Sequence, residues 1–194
     1  MAEETGRPTP VHDPTVLRAI AHPVRNRVLG ELSAAGHLRA ADVAVALGIP
    51  ANQASFHLRQ LAKYGLVEPA PEHARDGRDR VWKPVHESGI NLRLDDAELD
   101  PGGKAAVTVW RRQATAAAND AVNRAFARHD DDPSVHVMIN DEWVRLTKAE
   151  SAEYANDLLA LQERWRRRTQ GEDAPGRRTY HLLQILQPGP DPTP

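Results

Sequence analysis

The sequence predicts a mainly helical α+β fold in which small β elements follow a run of short helices. Three observations predict it. Apolar residues recur at helical spacing in four successive segments between Pro14 and Gly65. The period then changes to short extended runs on either side of Asp76-Gly77. Two longer helical patterns, separated by β-like alternation, fill the remainder.

The elements follow in order. Residues 1–13 are polar and Pro-containing, an expected disordered tail. "PTVLRAIA" is a short first helix with Val16, Leu17 and Ile20 on one side. "HPVRNRVLGELSAAG" is a second. Pro23 suits its first turn, Gly36 ends it, and Val24, Val28, Leu29 and Leu32 form its stripe. "RAADVAVALG" is a third, with Val43, Ala46 and Leu47 expected inward. "ANQASFHLRQLAKYG" is a fourth, with Ala54, Leu58 and Leu61 inward. "LVEPAPE" and "RVWKPV" then flank "HARDGRD", where Asp-Gly signals a tight hairpin.

Residues 87–103 read as an acidic linker, and 104–187 as a C-terminal domain. In it a long Ala-rich helix starts at Lys104, "VHVMIN" and "WVRLT" read as a hairpin, and an amphipathic helix carries Tyr154, Leu158, Leu161 and Trp165. "RTYHLLQIL" reads as a last strand, and 188–194 as a Pro-rich tail.

Composition narrows the function. The 194 residues carry a net charge of −2, yet residues 14–85 hold ten Lys+Arg against six Asp+Glu, a balance of +4, leaving −6 for the remainder. A basic segment in an acidic chain points to a localised anionic partner. There are no cysteines, which excludes disulfides and thiolate metal sites. No apolar run approaches the roughly 20 residues of a membrane span, and the N-terminal residues lack the apolar stretch of a secretory signal. A cytoplasmic location is the expectation.

The fourth helix is the informative one. Its outer face carries Asn52, Gln53, Phe56, Arg59 and Gln60, with Ser55 and His57 at the edges, and no acidic residue lies between Ile49 and Val67. Amides pair with adenine, guanidinium with guanine, and an aromatic ring packs on a thymine methyl, while a carboxylate there would meet phosphates. Arg75, Arg78 and Arg80 at the hairpin would reach the backbone or the minor groove. Helix, helix, helix and Arg-tipped hairpin together describe a winged helix-turn-helix for double-stranded DNA.

Three pieces, "HPVRNRVL", "SFHLRQLAKYGLV" and "DGRDRVWKP", make residues 14–86 resemble the ArsR/SmtB family of bacterial repressors. The resemblance implies a winged helix-turn-helix transcriptional regulator, a homodimer on a palindromic operator, released by a signal. It implies base or phosphate contacts at Asn52, Gln53, Ser55, Phe56, His57 and Arg59. Phe56 departs from the polar residue expected there. Arg25 and Arg27 match a basic pair that either touches phosphate or braces helix packing. The family's metal sites are missing: the third helix has no thiol, and the long helix lacks a His-x-x-Glu pattern. No metal or other cofactor is expected.

Beyond that segment, Val107, Trp110, Ala114, Ala117 and Ala121 lie near heptad spacing, an expected dimer face. His129 to His136, "HDDDPSVH", offers a metal-ligand composition, but a helix C-terminus and solvated turn chemistry explain it better. The aromatic residues of the C-terminal part either fill a core or line a pocket for an effector. "RWRRR" complements a helix C-terminus. No nucleophile motif, phosphate loop or His-Glu-x-x-His occurs, so an enzyme is not expected. The alternatives are a metal- or small-molecule-responsive sensor acting through the C-terminal domain, and a winged helix that binds protein.

Overall fold

The computed structural model describes residues 14–76, 80–86, 101–127, 135–171 and 174–189. It contains α1 (Pro14–Ile20), α2 (Pro23–Ala35), β1 (Leu38–Arg39), α3 (Ala40–Leu47), α4 (Ala51–Lys63), β2 (Val67–Pro69), a 3₁₀ turn (Pro71–His73), β3 (Val81–Pro84), α5 (Pro101–Ala127) and α6 (Lys148–Thr169). The strands form a three-stranded antiparallel sheet in the order β1-β3-β2, with Leu38 opposite Trp82 and Val67 opposite Pro84. This is an α+β architecture. No helix among the described residues is long and apolar enough to cross a membrane.

One core holds the first five helices and the sheet. Leu17, Val28, Leu32, Val43, Leu58 and Leu61 have almost no exposed surface, and Trp82 of β3 closes the cluster. Each such leucine contributes about 1.5–3 kcal/mol by leaving water. α3 and α2 pack on α4, while α1 packs on α5. The α3–α4 turn is short because Gly48 takes φ 65°, ψ 38°, a left-handed conformation that costs glycine little. It lets the Ile49 N–H reach the Ala44 carbonyl at 3.0 Å, and α4 begins at Ala51.

The inward face of α3 is Val43, Ala44 and Leu47; Ala46 is exposed, a correction to the expected stripe. Residues at i, i+1 and i+4 share a face here, and Ala46 falls on the other side. Asp42 anchors the start of α3. Its carboxylate accepts from the Arg39 backbone N–H at 2.9 Å and from the Arg39 guanidinium at 2.6 Å, which holds its pKa below the usual carboxylate range. Asp42→Ala is expected to lower stability by about 1 kcal/mol. Thermal denaturation at pH 7 checks this. At pH 3 the difference should shrink, because the stabilisation is present above the unfolded carboxylate pKa and lost as pH falls.

The wing differs from a tight Asp-Gly hairpin. Residues 70–80 connect β2 to β3, and the 3₁₀ turn lies within them. Asp76 therefore sits in a loop beyond the paired strands, and Gly77 lies outside the described residues. β1 was not visible in the sequence, since two residues give no alternation to read.

The C-terminal half departs further. α5 starts at Pro101, inside the expected linker, and Gly103, Ala106 and Val107 are buried. Val107 is 1 % exposed in its own chain's core, with half-buried Trp110 packed against it. This corrects its assignment to a dimer face: the first turns of α5 serve the fold of the winged segment. Residues 135–147 and 177–189 contain no strand. A strand needs a partner for its ladder, and neither segment finds one among the described residues. α6 forms as expected, capped where Thr147 and Glu150 exchange hydrogen bonds of 2.7 and 3.2 Å. None of its residues is buried, and Leu161 and Trp165 lie open. The end of α6 touches α2: Gln170 donates to the Ser33 carbonyl at 3.2 Å, and Gly171 to the Ala35 carbonyl at 3.0 Å.

Candidate nucleic-acid interface

α4 divides into two faces by its own period. Ala54, His57, Leu58 and Leu61 face the core. Asn52, Gln53, Phe56 and Arg59 are exposed, and Ser55 and Gln60 are partly covered. Phe56 is 49 % exposed, an apolar disc set among amides. Asn52 Oδ1 accepts from the Gln53 backbone N–H at 2.9 Å, and Arg59 Nε donates to the Ser55 carbonyl at 3.2 Å. Such local contacts orient the side chains until a stronger partner replaces them. The face carries no carboxylate, as the sequence requires.

His57 is the principal correction. It is 3 % exposed and turned inward, so it cannot read a base edge. Its ring lies 5.0 Å from that of His22 and makes an edge contact with Phe56 at 5.4 Å. Both ring nitrogens of His57, and Nδ1 of His22, are buried without a hydrogen-bond partner. The spacing did carry the signal, since positions 54, 57, 58 and 61 form one stripe. Burial lowers the pKa of both imidazoles, and Arg25 nearby pushes in the same direction. Both therefore stay neutral at pH 7. A histidine with a depressed folded pKa stabilises fully above its unfolded value near 6.5 and loses that contribution as pH falls. The urea midpoint is expected to drop between pH 7.5 and 5.5, and His57→Leu to flatten that dependence.

Arg25 braces the packing. Its Nε donates to the Ala19 carbonyl at 2.6 Å and its Nη2 to the Arg18 carbonyl at 3.0 Å, tying α2 to the end of α1. Arg27 remains exposed. In the wing, Lys83 holds Glu72 at 2.8 Å and Glu68 at 3.6 Å. The hydrogen bond between them raises the Lys83 pKa and lowers that of Glu72. These acids are thus occupied at the wing's root, while Arg75 and Arg80 stand exposed further out. Arg78 lies outside the described residues. So does His129, whereas His136 is exposed.

The arrangement is two helices joined by a short turn, the second presenting a donor-rich face, beside a wing that exposes Arg75 and Arg80. A family model described as a helix-turn-helix domain matches residues 20–70. These residues form a helix-turn-helix domain. Among solved structures, the chain is similar to the YusO protein from Bacillus subtilis at 15% identity, covering 77% of this chain and 79% of that one with a TM-score of 0.33. It is also similar to RV1404 from Mycobacterium tuberculosis at 16% identity, covering 77% and 80% with a TM-score of 0.31. No curated protein matches. The matched residues include α3 and α4, joined by the short turn, with β1 and β2; β3, beyond residue 70, completes the sheet of the wing.

Proposed function

We propose that the chain is a sequence-specific double-stranded DNA-binding transcriptional regulator, a homodimeric repressor of the ArsR type without that family's cysteine metal site. One observation carries the reading: α4 exposes Asn52, Gln53, Phe56 and Arg59 together, with no carboxylate among them. α4 enters the major groove, α3 crosses the backbone, and the wing arginines contact phosphate. His57 is withdrawn from the contact set because it is buried. A protein partner would be less well served, since a helix face of hydrogen-bonding groups without a carboxylate, beside exposed Arg75 and Arg80, matches a polyanion.

The dimer reading rests on two features. Ala114, Ala117 and Ala121 give the middle of α5 a small-residue face that allows close approach of a second helix. Exposed Trp143, Leu182 and Ile185 leave apolar surface outside the cleft that a second copy would cover. A two-fold dimer implies half-sites about one helical turn apart.

The test is fluorescence anisotropy of the purified protein on its own upstream intergenic DNA, with a scrambled duplex as control, at two salt concentrations. Preference for the native duplex supports the reading. Equal, weak binding to both defeats the base-reading assignment. Arg80→Ala is expected to weaken both duplexes alike and to reduce the salt slope by about one.

A further inference from the structure

A cleft of about 1000 Å³ separates the helix-turn-helix domain from the end of α6. One wall comes from the end of α2, β1, the start of α3 and the base of the wing; the other comes from α6 and the segment around Tyr180. Three links close one side: the two hydrogen bonds from Gln170 and Gly171 to α2, and a 2.7 Å hydrogen bond from the Thr179 hydroxyl to Glu31.

The lining is one-sided in charge. Five arginines, Arg39, Arg75, Arg166, Arg177 and Arg178, line it, with a single carboxylate, Asp42, among the described residues. Asp42 is held by Arg39 at 2.6 Å. Arg166 is held on one side only. Its Nε donates to Glu163 at 3.0 Å and its Nη2 bonds the same carboxylate, while its Nη1 is buried with no acceptor among the described residues. A buried donor left unmade is costly, and a small turn of the guanidinium toward the cleft would let an incoming carboxylate satisfy it.

The lining is also planar. His37 and His73 stack with centroids 3.8 Å apart and planes 5° apart. Burial, reinforced by His73, lowers the His37 pKa, so that ring enters the stack as a neutral plate. Trp165, 52 % exposed, and Tyr180 supply two more rings on the opposite wall. Flat rings select a flat ligand, and guanidinium groups select a planar acid over a point charge.

We propose that this cleft is an effector site for a small planar aromatic carboxylate. The ring lies among the His37–His73 stack, Trp165 and Tyr180, and the carboxylate meets Arg166. Because the walls belong to the wing and to α6, an occupied cleft fixes one against the other. The binding claim stands independently of DNA; the effector role rests on the DNA-binding reading.

The experiment is isothermal titration of the full chain with 2-naphthoate, with the neutral 2-naphthalenemethanol as control. Saturable binding of 2-naphthoate is expected, with about tenfold weaker binding of the alcohol. Arg166→Gln and His73→Ala are each expected to weaken naphthoate about tenfold. The two variants sit on opposite walls, and His73 is exposed, so its loss leaves the core intact. No saturable heat with 2-naphthoate, or undiminished binding in His73→Ala, overturns the site. Adding 2-naphthoate to the protein on its preferred duplex should change the affinity of the native chain and not of Arg166→Gln. An unchanged native affinity overturns the effector role. The titration contains no DNA, so its failure is distinct from failure of the DNA-binding reading.

Discussion

Leu58→Ala is expected to cost the fold about 2–5 kcal/mol. Leu58 has no exposed surface and lies midway along the inward face of α4, in the cluster that also holds Leu32, Val43 and Leu61. Truncation removes transfer free energy and leaves a cavity that surrounding helices fill only in part. Domains of this size are stable by roughly 5–15 kcal/mol, so the loss is a large fraction of the total. The effect also reaches function, because α4 is the element that carries Gln53 and Arg59. Urea denaturation followed by far-UV circular dichroism measures it. The midpoint should fall with little change of slope. An unshifted midpoint would mean that α4 is not docked on the core.

Gln53→Ala and Arg59→Ala are expected to do the opposite: large effects on binding and almost none on stability. Both side chains are exposed, so truncation opens no cavity. Each is expected to cost roughly 1–3 kcal/mol at the preferred duplex and to relax its sequence preference, because a bidentate contact to a base edge is lost. Arg59 gives up its 3.2 Å bond to the Ser55 carbonyl to make such a contact, which places it at the lower end of that range. Anisotropy on native and scrambled duplexes, alongside thermal melts, separates the cases. Equal weakening on both duplexes would reduce these residues to phosphate contacts.

The helix-turn-helix segment was legible because its signals are local. Ala54, Leu58 and Leu61 repeat at helical spacing, Gly36 and Gly65 end their helices, and Pro23 starts one. His57 was misread for a chemical reason. It occupies the apolar stripe, but imidazole is found buried and exposed alike, and its neighbour His22 lies far back in the sequence. Arg25 shows the same limit: only the position of the α1 carbonyls reveals that it braces. The C-terminal segments were misread because alternation reports a potential apolar face, and a strand also requires a partner. Residues 135–147 and 177–189 have the pattern without the ladder. The cleft was illegible altogether, since its walls combine residues near position 37 with residues near 166.

The two halves are also held together by different means. α2 and α4 owe their persistence to buried side chains. α6 has its cap at Thr147 and the contacts of Glu163 with Arg166 and Arg167, but no buried residue. Helices held mainly by local contacts are marginal in water and open without waiting for the core. In an isolated chain the amides of α6 therefore exchange with solvent through fraying, while those of α2 and α4 exchange only when the whole core comes apart. The protein keeps two clocks, and the wall that α6 lends to the cleft runs on the faster one.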